Sequence, residues 1–251
     1  MPGNQLKVVV VNLARSVHRR EQVTAALAPL GLPYEFFEAI DGKNGIHPLF
    51  NRVDQRLAEV RRGFLLTGGE IGCFASHYLL WERCVRENKS FLIFEDDIAI
   101  NENFLEAYSA AADRIDQLGL IRFSGHKERE FTNLEMLEGS MKIVRFQKGP
   151  NGTSCYAISP AAAERLRAKA SVWFEPVDLH LDRFWTHGVN SLGILPYPVA
   201  HAAESPEQSE IWQGTKRAPK SRRYRRLRAL YRAHDDVLRF LANLPYRRGR
   251  G

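Results

Sequence analysis

The chain has 251 residues, 44% of them hydrophobic and 26% charged, which is the composition of an ordinary globular protein. No apolar run approaches the roughly 18 to 20 residues that span a bilayer, and the N-terminal residues lack the order of a signal peptide. Three cysteines are too few for a disulfide framework and fit a reducing compartment, so we expect a cytoplasmic location. The composition therefore excludes a largely disordered chain and a membrane-spanning one.

The formal net charge of +7 is unevenly distributed along the chain. Residues 216–251 hold 13 Lys and Arg against two acids, so this segment carries +11 and the preceding 215 residues carry −4. The basic character therefore belongs to a C-terminal appendage, and the body of the protein is mildly acidic.

The sequence opens with alternating strand and helix patterns. LKVVVVNLAR at residues 6–15 contains a continuous apolar run, typical of a strand buried on both faces, and residues 19–31 follow a helical pattern that ends at a glycine. Residues 33–42 predict a second strand closed by an Asp-Gly turn. Residues 43–66 give no clear assignment.

Residues 67–89 predict a long buried helix, because Thr67 and Glu70 form a capping-box pattern and apolar residues recur behind them at three-four spacing. A strand, a helix and a strand are predicted next at residues 90–97, 103–119 and 120–125. Strands that alternate with helices predict a mainly parallel α/β sheet with helices on both faces. Its ligand crevice should lie at the carboxyl ends of the strands.

The C-terminal half continues these patterns. Residues 154–170 predict a short strand that runs into a helix, with Ser159 as N-cap and Pro160 at the first helical position. Residues 175–188 predict a shorter helix that ends at a glycine. We divide the chain into an α/β domain at residues 1–205, a linker at 206–221 and a basic amphipathic tail at 222–251.

Three consecutive acids, Glu95, Asp96 and Asp97, follow the buried strand FLIF. Strand alternation would place Glu95 and Asp97 on one face and Asp96 on the other. Such acids can cap a helix or pair with surface arginines, but three adjacent carboxylates repel each other, and a divalent cation would relieve that repulsion. Mg²⁺ and Mn²⁺ prefer carboxylate and phosphate oxygens, so the cluster favours a metal-diphosphate site.

Six segments together resemble glycosyltransferase family 25, which includes lipooligosaccharide and collagen galactosyltransferases. They are VVVVNLARSVHRR, FFEAIDG, LTGGEIGCFASH, FLIFEDD, GTSCYAIS and EPVDLHLDRFW, in the order and approximate spacing of that family. The resemblance covers residues 6–201 and implies a GT-A type α/β fold, a UDP-sugar donor, usually UDP-galactose, and a divalent metal. It also implies transfer with inversion to give a β-linkage.

The resemblance assigns roles to the acidic triplet and its neighbours. The triplet resembles the DxD element of GT-A enzymes, which makes Asp97 a direct metal ligand. Glu95 on the same face would hold the metal's water or the ribose, and Asp96 would belong to the donor site without a defined role. The family's Ser-His pair points to donor contacts for Ser76 and His77. For His77 a buried core position is the alternative, and a zinc site shared with a nearby cysteine is disfavoured.

Three further residues should lie where the family fold receives the nucleotide. Asn12 and Arg15 follow the first strand, and Asp41 ends the second. Turn chemistry for Asn12 and Asp41, and a solvated guanidinium for Arg15, are the alternatives to ligand contact.

Inverting transfer needs a base that is separate from the metal-binding acids, because the attacking hydroxyl must lose its proton. The family's Pro-x-Asp signature matches Asp178, which we predict to be this base, with Glu175 and Asp182 in reserve. The alternatives are that Asp178 only interacts with the helix dipole and that Asp182 pairs with an arginine at the solvent side.

The tail predicts a basic amphipathic helix, since apolar residues recur at three-four spacing between arginines. We expect it to attach the protein to an anionic surface, the inner face of the cytoplasmic membrane, through residues 216–250. Nucleic acid is the rival partner, although the body carries no recognised nucleic-acid motif. A third possibility is that the helix packs on its own body.

The sequence therefore predicts a metal-dependent transferase that moves a hexose from a UDP-sugar to a glycolipid or oligosaccharide acceptor. A non-catalytic nucleotide-sugar or glycan binding protein on the same fold, and a nucleic-acid-binding protein that acts through the tail, are the alternatives.

Overall fold

The structure is a computed structural model that describes residues 5–43, 45–202 and 223–247. The strands in these ranges are β1 (Lys7–Asn12), β2 (Tyr34–Glu38), β3 (Phe91–Glu95), β4 (Ile98–Ile100), β5 (Leu120–Arg122), β6 (Phe131–Met136), β7 (Lys142–Phe146), β8 (Cys155–Ile158), β9 (Leu192–Leu195) and β10 (Val199–His201). The α-helices are α1 (Val17–Leu27), α2 (Gln55–Arg62), α3 (Gly68–Glu87), α4 (Phe104–Leu118), α5 (Pro160–Ala168), α6 (Val177–Leu181), α7 (Phe184–His187) and α8 (Arg225–Arg247).

The main sheet has the strand order β2-β1-β3-β8-β5-β9-β7-β6, and β4 pairs separately with β10. In this sheet β7 and β8 run antiparallel to both of their neighbours, while the other six strands point the same way. The structure therefore confirms the predicted α/β architecture with a mainly parallel sheet and helices on both faces.

The central strands are apolar on both faces because helices cover both sides of the sheet. Val8 and Val10 of β1 pack in one core with side chains of α1 and α4. Val9 and Val11 of the same strand pack in a second core with side chains of α3, α5 and α6. The continuous apolar run at the start of the sequence is explained by this double burial.

Several elements were not predicted, including β4, β9 and β10, and one prediction is wrong. The unassigned stretch before α3 contains α2, and a hairpin of β6 and β7 was not predicted. The single helix predicted at residues 175–188 is wrong, since α6 ends at Leu181 and α7 begins at Phe184. At the break, the Asp182 carboxylate accepts a hydrogen bond from buried Arg122 at 2.8 Å. The neighbouring Arg183 pairs with Asp235 of α8, so tertiary ion pairs outweigh the continuous helical pattern.

The start of α3 is held tightly against the loop after β2. Thr67 and Glu70 form the predicted capping box, with each side chain accepting from the other residue's backbone N–H. Gly42 of the loop lies so close to Gly68 that a Cβ on Gly42 would come within 1.8 Å of the Gly68 carbonyl oxygen. Two glycines are therefore required for this approach of backbone to backbone, which brings the N-terminus of α3 to the carboxyl end of β2.

The basic tail forms α8, which packs on the body through polar side chains. Asp235 accepts from Arg61 at 3.2 Å and from Arg183 at 2.9 Å, and Asn243 accepts from Arg145 at 2.7 Å. This contact corresponds to the third possibility for the tail, the helix packing on its own body. The predicted linker lies outside the described residues. No helix within the described ranges is long and apolar enough to cross a membrane.

Candidate active site

A cleft lies at the carboxyl ends of β1, β2 and β3, where parallel strands end together. Its lining includes Val11, Arg15, Arg19, Asp41, Gly69, Cys73 and the three acids Glu95, Asp96 and Asp97. The N-terminal turn of α3 borders it and contributes the positive end of the helix dipole, which favours a phosphate group. The enclosed volume of about 100 Å³ suits a metal ion with phosphate groups, so the sugar and base of a donor would extend beyond it.

A chain of hydrogen bonds leads from the core to His77, whose ring lies beside Glu95. The Trp81 indole N–H donates to the Tyr156 hydroxyl at 3.0 Å, and this hydroxyl lies 2.8 Å from His77 Nδ1. Because indole can only donate, the Tyr156 proton is available to Nδ1. His77 Nε2 lies 3.5 Å from Glu95 Oε1 and has no hydrogen-bond partner among the described residues. Burial alone would raise the pKa of Glu95, but His77 and the Thr153 hydroxyl, 2.6 Å away, lower this pKa to about 2.

Ser76 and His77 are fully buried, and of the two only Ser76 is among the described residues that line the cleft. The Ser76 hydroxyl accepts from the Ile40 N–H and donates to the Gly72 carbonyl, both at 2.8 Å. It thus fixes the segment after β2 to α3, while His77 orients Glu95. The structure therefore shows contacts of Ser76 with Ile40 and of His77 with Glu95, and donor contacts for the two residues stay a prediction.

The Trp81–Tyr156–His77 chain makes a stability prediction. In Tyr156→Phe the Trp81 N–H and His77 Nδ1 lose their shared partner in a fully buried site. We expect the free energy of unfolding to fall by about 1–3 kcal/mol, measured by urea denaturation. Tyr108→Phe is the matched control, since the Tyr108 hydroxyl donates to a single carbonyl at 3.2 Å in a partly exposed position. Equal unfolding free energies for Tyr156→Phe and the wild type would contradict a stabilising role of the hydrogen bonds that join Trp81, Tyr156 and His77.

Asp96 is held by two side chains. Asn12 Nδ2 donates to Asp96 Oδ2 at 2.7 Å, and Arg19 Nη1 lies 3.3 Å from Oδ1. Arg19 on α1 is therefore paired with a largely buried carboxylate and does not lie free in the solvent. Burial raises the pKa of Asp96, while Asn12 and Arg19 oppose this rise. The structure thus places Asn12 in a contact with Asp96, and Asp96 fixes the end of β3 to α1.

Asp97 is the carboxylate that best fits a metal. Its Oδ1 is buried and has no hydrogen-bond partner among the described residues. Burial, reinforced by the negative charge of Glu95, raises the pKa of Asp97 to about 7. His201 Nδ1 lies 3.7 Å from this oxygen. Carboxylate oxygens with one imidazole and the phosphates of a bound diphosphate would satisfy Mn²⁺ or Mg²⁺, so the residues fit the predicted metal.

Two histidines at this site were not predicted. His126 follows β5 and His201 ends β10, and their rings are in contact, with centroids 4.3 Å apart and the two Nε2 atoms hydrogen-bonded. Burial lowers the pKa of His126, and the neighbouring His201 adds to this effect. The position of His126 just after a strand, at the same edge as the acids, was a usable signal in the sequence. His201 had none, because the pairing of β10 with β4 depends on the folded chain.

One group of metal-type ligands, Cys73, His77 and Glu95, has donor atoms within 4.8 Å of one another. Zinc would require a thiolate, yet burial and the charge of Glu95 raise the pKa of the Cys73 thiol well above its usual value. His77 already has Tyr156 as the partner of Nδ1. The chemistry of this group therefore favours positioning of Glu95 over a zinc site.

Arg15 and Asp41 form an ion pair on the wall of the cleft. The other oxygen of Asp41 accepts from the Lys43 N–H at 3.0 Å, which corresponds to the turn chemistry expected after β2. Both residues line the cleft, as the prediction of nucleotide contacts requires. Direct contact with a nucleotide remains a prediction for this pair.

The three acids near α6 have different environments. Glu175 is buried and pairs with Arg62 and Arg183. Asp182 is also buried, and its partner is Arg122 of the sheet, so the predicted pairing with a solvent-side arginine is wrong. Asp178 is half-buried and accepts only long hydrogen bonds, both of 3.3 Å, from Asn151 Nδ2 and the Gly152 N–H. Of the three, Asp178 is the carboxylate with the weakest internal partners.

Comparison with known proteins identifies the family of this chain. A model of the family described as glycosyltransferase family 25 (LPS biosynthesis protein) matches residues 5–181. The chain belongs to glycosyltransferase family 25. The mixed α/β architecture, with the acidic triplet at the end of β3, is consistent with the GT-A-like fold expected for a family 25 protein.

This family 25 chain is similar to the lipooligosaccharide biosynthesis protein lic2B of Haemophilus influenzae, with 29% identity over 171 residues that cover 63% of this chain and 61% of the relative. A glycosyltransferase 25 family member of Drosophila melanogaster is 36% identical over 231 residues, 79% of this chain and 36% of the relative. An inactive glycosyltransferase 25 family member 3 of Homo sapiens is 35% identical over 174 residues, 64% of this chain and 28% of the relative. The chain thus spans less than two thirds of these relatives.

Proposed function

We propose that this family 25 protein is an inverting glycosyltransferase that moves a hexose, with galactose as the expected sugar, from a UDP-sugar to a glycan acceptor of lipooligosaccharide type. The observation that carries this proposal is that two carboxylates with different pKa shifts lie in the same cleft. Glu95 is held charged by His77, whereas Asp97 is buried with an unpartnered oxygen. A divalent cation would complete this pair and relieve its repulsion.

The proposed roles follow from the position of each side chain. Glu95 and Asp97 would hold the cation with His201 nearby, and the N-terminus of α3 would face the diphosphate. The metal would supply charge stabilisation for the departing diphosphate. Arg15, which follows β1, and Asp41, which follows β2, would contact the nucleotide. Asp178 would accept the proton of the attacking hydroxyl, because Glu175 and Asp182 are engaged by arginines.

The proposal is tested by incubating the protein with a panel of UDP-sugars and Mn²⁺, with and without EDTA, and measuring UDP release. We expect release with UDP-galactose that depends on the metal. Release that is unaffected by EDTA would contradict the role of the acidic pair. Binding of UDP-sugars without release in the presence of a range of acceptors would favour the alternative, a non-catalytic binding protein. The name of the human relative as inactive is the reason to include this outcome.

We also propose that α8 attaches the protein to an anionic membrane surface. The outward face of this helix supports that attachment. Apolar side chains recur along this face, opposite the buried polar ones, and Leu230, Val237 and Leu241 are 67%, 57% and 52% exposed. Arg226 lies among them on the same helix. An amphipathic helix of this kind lies in the interface with its apolar face in the acyl region and its basic residues near anionic headgroups.

This attachment predicts the behaviour of a charge substitution on α8. Leu230→Glu combined with Leu241→Glu should weaken sedimentation with phosphatidylglycerol-containing vesicles at least ~10-fold, since each exposed leucine would contribute roughly 1.5–3 kcal/mol when buried in lipid. Leu105→Glu on α4, at a position with 48% exposure, is the matched control and should sediment like the wild type. Equal sedimentation of all three proteins would contradict attachment through α8.

A further inference from the structure

A second cavity, separate from the cleft, lies between α2, the α6–α7 segment and α8, with a volume of about 480 Å³. Among the described residues, its lining contains seven basic side chains and three acidic ones. The basic ones are Arg61, Arg62, Lys148, Arg183, Arg228, Arg232 and Arg239. Three of these arginines belong to α8, and of the three Arg228 is buried, Arg239 is half-buried and Arg232 is exposed.

Among the described residues around this cavity, bases outnumber acids. Asp235 is shared by Arg61 and Arg183, and Glu175, just behind the lining, is shared by Arg62 and Arg183. Asp182 is paired with Arg122 of the sheet. Among the described residues, counting Glu175 and Arg122 as well as the lining gives an excess of four positive charges.

Two lining bases have no carboxylate partner. Within the part of the chain that the structure describes, no carboxylate oxygen lies within 4.0 Å of the charged groups of Lys148 and Arg232. Burial lowers the pKa of Lys148, and the charge of Arg239 lowers it further. Burial also lowers the pKa of Arg62 to about 10, with Arg183 as the next contribution. The cavity is therefore under electrostatic repulsion that an anion would relieve.

The lining also contains unused hydrogen-bond donors. The Nε atoms of Arg61, Arg62 and Arg183 and the indole Nε1 of Trp185 are buried and have no acceptor among the described residues. Arg183 as a whole is only 8% exposed. An N–H group buried without an acceptor is costly, and arginine donors match the oxygens of phosphate and carboxylate groups. Trp185 and Tyr231 add aromatic surfaces of the kind on which a sugar ring can pack.

Asn151 connects this cavity to the predicted base. It lines the cavity, its side-chain amide donates to Asp178 Oδ2 at 3.3 Å, and its backbone N–H donates to Asp182 Oδ2 at 2.9 Å. Asn151 therefore lies between the cavity and Asp178, and a saccharide bound in the cavity would be close to the predicted base.

We propose that this cavity binds a phosphate or carboxylate group carried by the acceptor saccharide, and thereby positions the acceptor next to Asp178. The proposal rests on the proposed transferase function, which assigns Asp178 as the base. It names the chemical class of the acceptor, an anionic saccharide, and it assigns to the bases of α8 a part in its recognition.

The test is calorimetric titration of the full chain with glucose 6-phosphate, glucuronate, inorganic phosphate and glucose. We expect one or both anionic sugars to bind at least tenfold more tightly than glucose, and the stronger of the two identifies phosphate or carboxylate as the group. The double variant Lys148→Gln/Arg232→Gln should bind that sugar at least tenfold more weakly. The control Arg86→Gln/Lys89→Gln, which removes two exposed bases at the end of α3, should bind it like the wild type.

Equal affinities for glucose and both anionic sugars, or an unchanged affinity in Lys148→Gln/Arg232→Gln, would overturn the proposal. Inorganic phosphate that binds as tightly as glucose 6-phosphate would overturn its saccharide part. Lys148 and Arg232 have no carboxylate partner among the described residues, so the double variant leaves no described acid without its base. Its thermal stability without added anion should therefore be at least that of the wild type. The titration needs neither metal nor turnover, so absent UDP release with retained anion binding would count against the transferase function alone.

Discussion

Asp97→Ala should reduce metal-dependent UDP release by roughly 10²- to 10³-fold, the scale of losing one group that stabilises developing charge. The physical reason is that Asp97 Oδ1 is the buried oxygen without a partner beside charged Glu95. The variant should also lose Mn²⁺ binding, measured by titration of the metal alone. This second measurement separates the loss of a metal ligand from a general loss of activity.

Asp113→Ala is the control for this substitution, because Asp113 is an exposed aspartate on α4. It should bind Mn²⁺ and release UDP like the wild type. Normal Mn²⁺ affinity in Asp97→Ala would show that this carboxylate does not bind the metal. The acidic triplet would then have a structural role.

The raised pKa of Asp97 adds a pH dependence to the same experiment. The metal binds the ionised carboxylate, so Mn²⁺ affinity should rise as pH increases through about 7 and then level off. In the metal-free protein, stability changes with pH in the opposite direction to Mn²⁺ affinity. A folded-state pKa above the ordinary value contributes stability at low pH that is lost as pH rises through about 7. The increase in melting temperature caused by Mn²⁺ should therefore be larger at pH 8 than at pH 6.

Asp178→Asn should leave donor binding nearly unchanged and lower transfer to the acceptor by about 10²- to 10⁴-fold, the usual contribution of a general base. The amide keeps an oxygen that can accept from Asn151 and Gly152, so the local structure should be retained. Donor affinity is measured by titration with a UDP-sugar in the presence of Mn²⁺, and transfer is measured by product formation. The two readouts distinguish a base from a residue that only supports the fold.

Asp113→Asn is the matched control for the loss of one carboxylate charge, and it should show wild-type transfer. Normal transfer by Asp178→Asn would mean that the base lies elsewhere. Glu175 and Asp182 would be poor replacements, since both are buried and paired with arginines. His126, which lies close enough to feel the charges of Glu95 and Asp178, would then become the next candidate.

The position of α8 changes the interpretation of the positive charge of the tail. An amphipathic helix with arginines was expected to offer those arginines to an external surface. In the structure Arg228, Arg232 and Arg239 line a solvent-accessible cavity between α8 and the body, while leucines occupy the outward face. The two faces of one helix would thus serve an anionic saccharide on the inside and a lipid surface on the outside. The two proposals are independent, because the tests use different substitutions on α8.

The sequence by itself determined the elements whose signals are local. The apolar run of β1, the capping box of α3, the Ser159 cap and the Pro160 start of α5 depend on neighbouring residues, and the structure confirms all of them. The alternation of strands and helices was also sufficient to place the acidic triplet at the carboxyl end of a parallel strand. Period and capping chemistry can be read without the fold because they act within a few residues.

Only the tertiary structure decided which of the site residues face one another. The link from Trp81 through Tyr156 and His77 to Glu95 joins α3, β8 and β3. The pairing of Arg19 with Asp96, and the approach of His201 to Asp97, likewise join residues more than 70 positions apart. The direction of α8 was decided in the same way, since ion pairs with Arg61 and Arg183 turn its polar side inward. Buried charges must find partners wherever the folded chain supplies them, and that choice leaves no periodic pattern in the sequence.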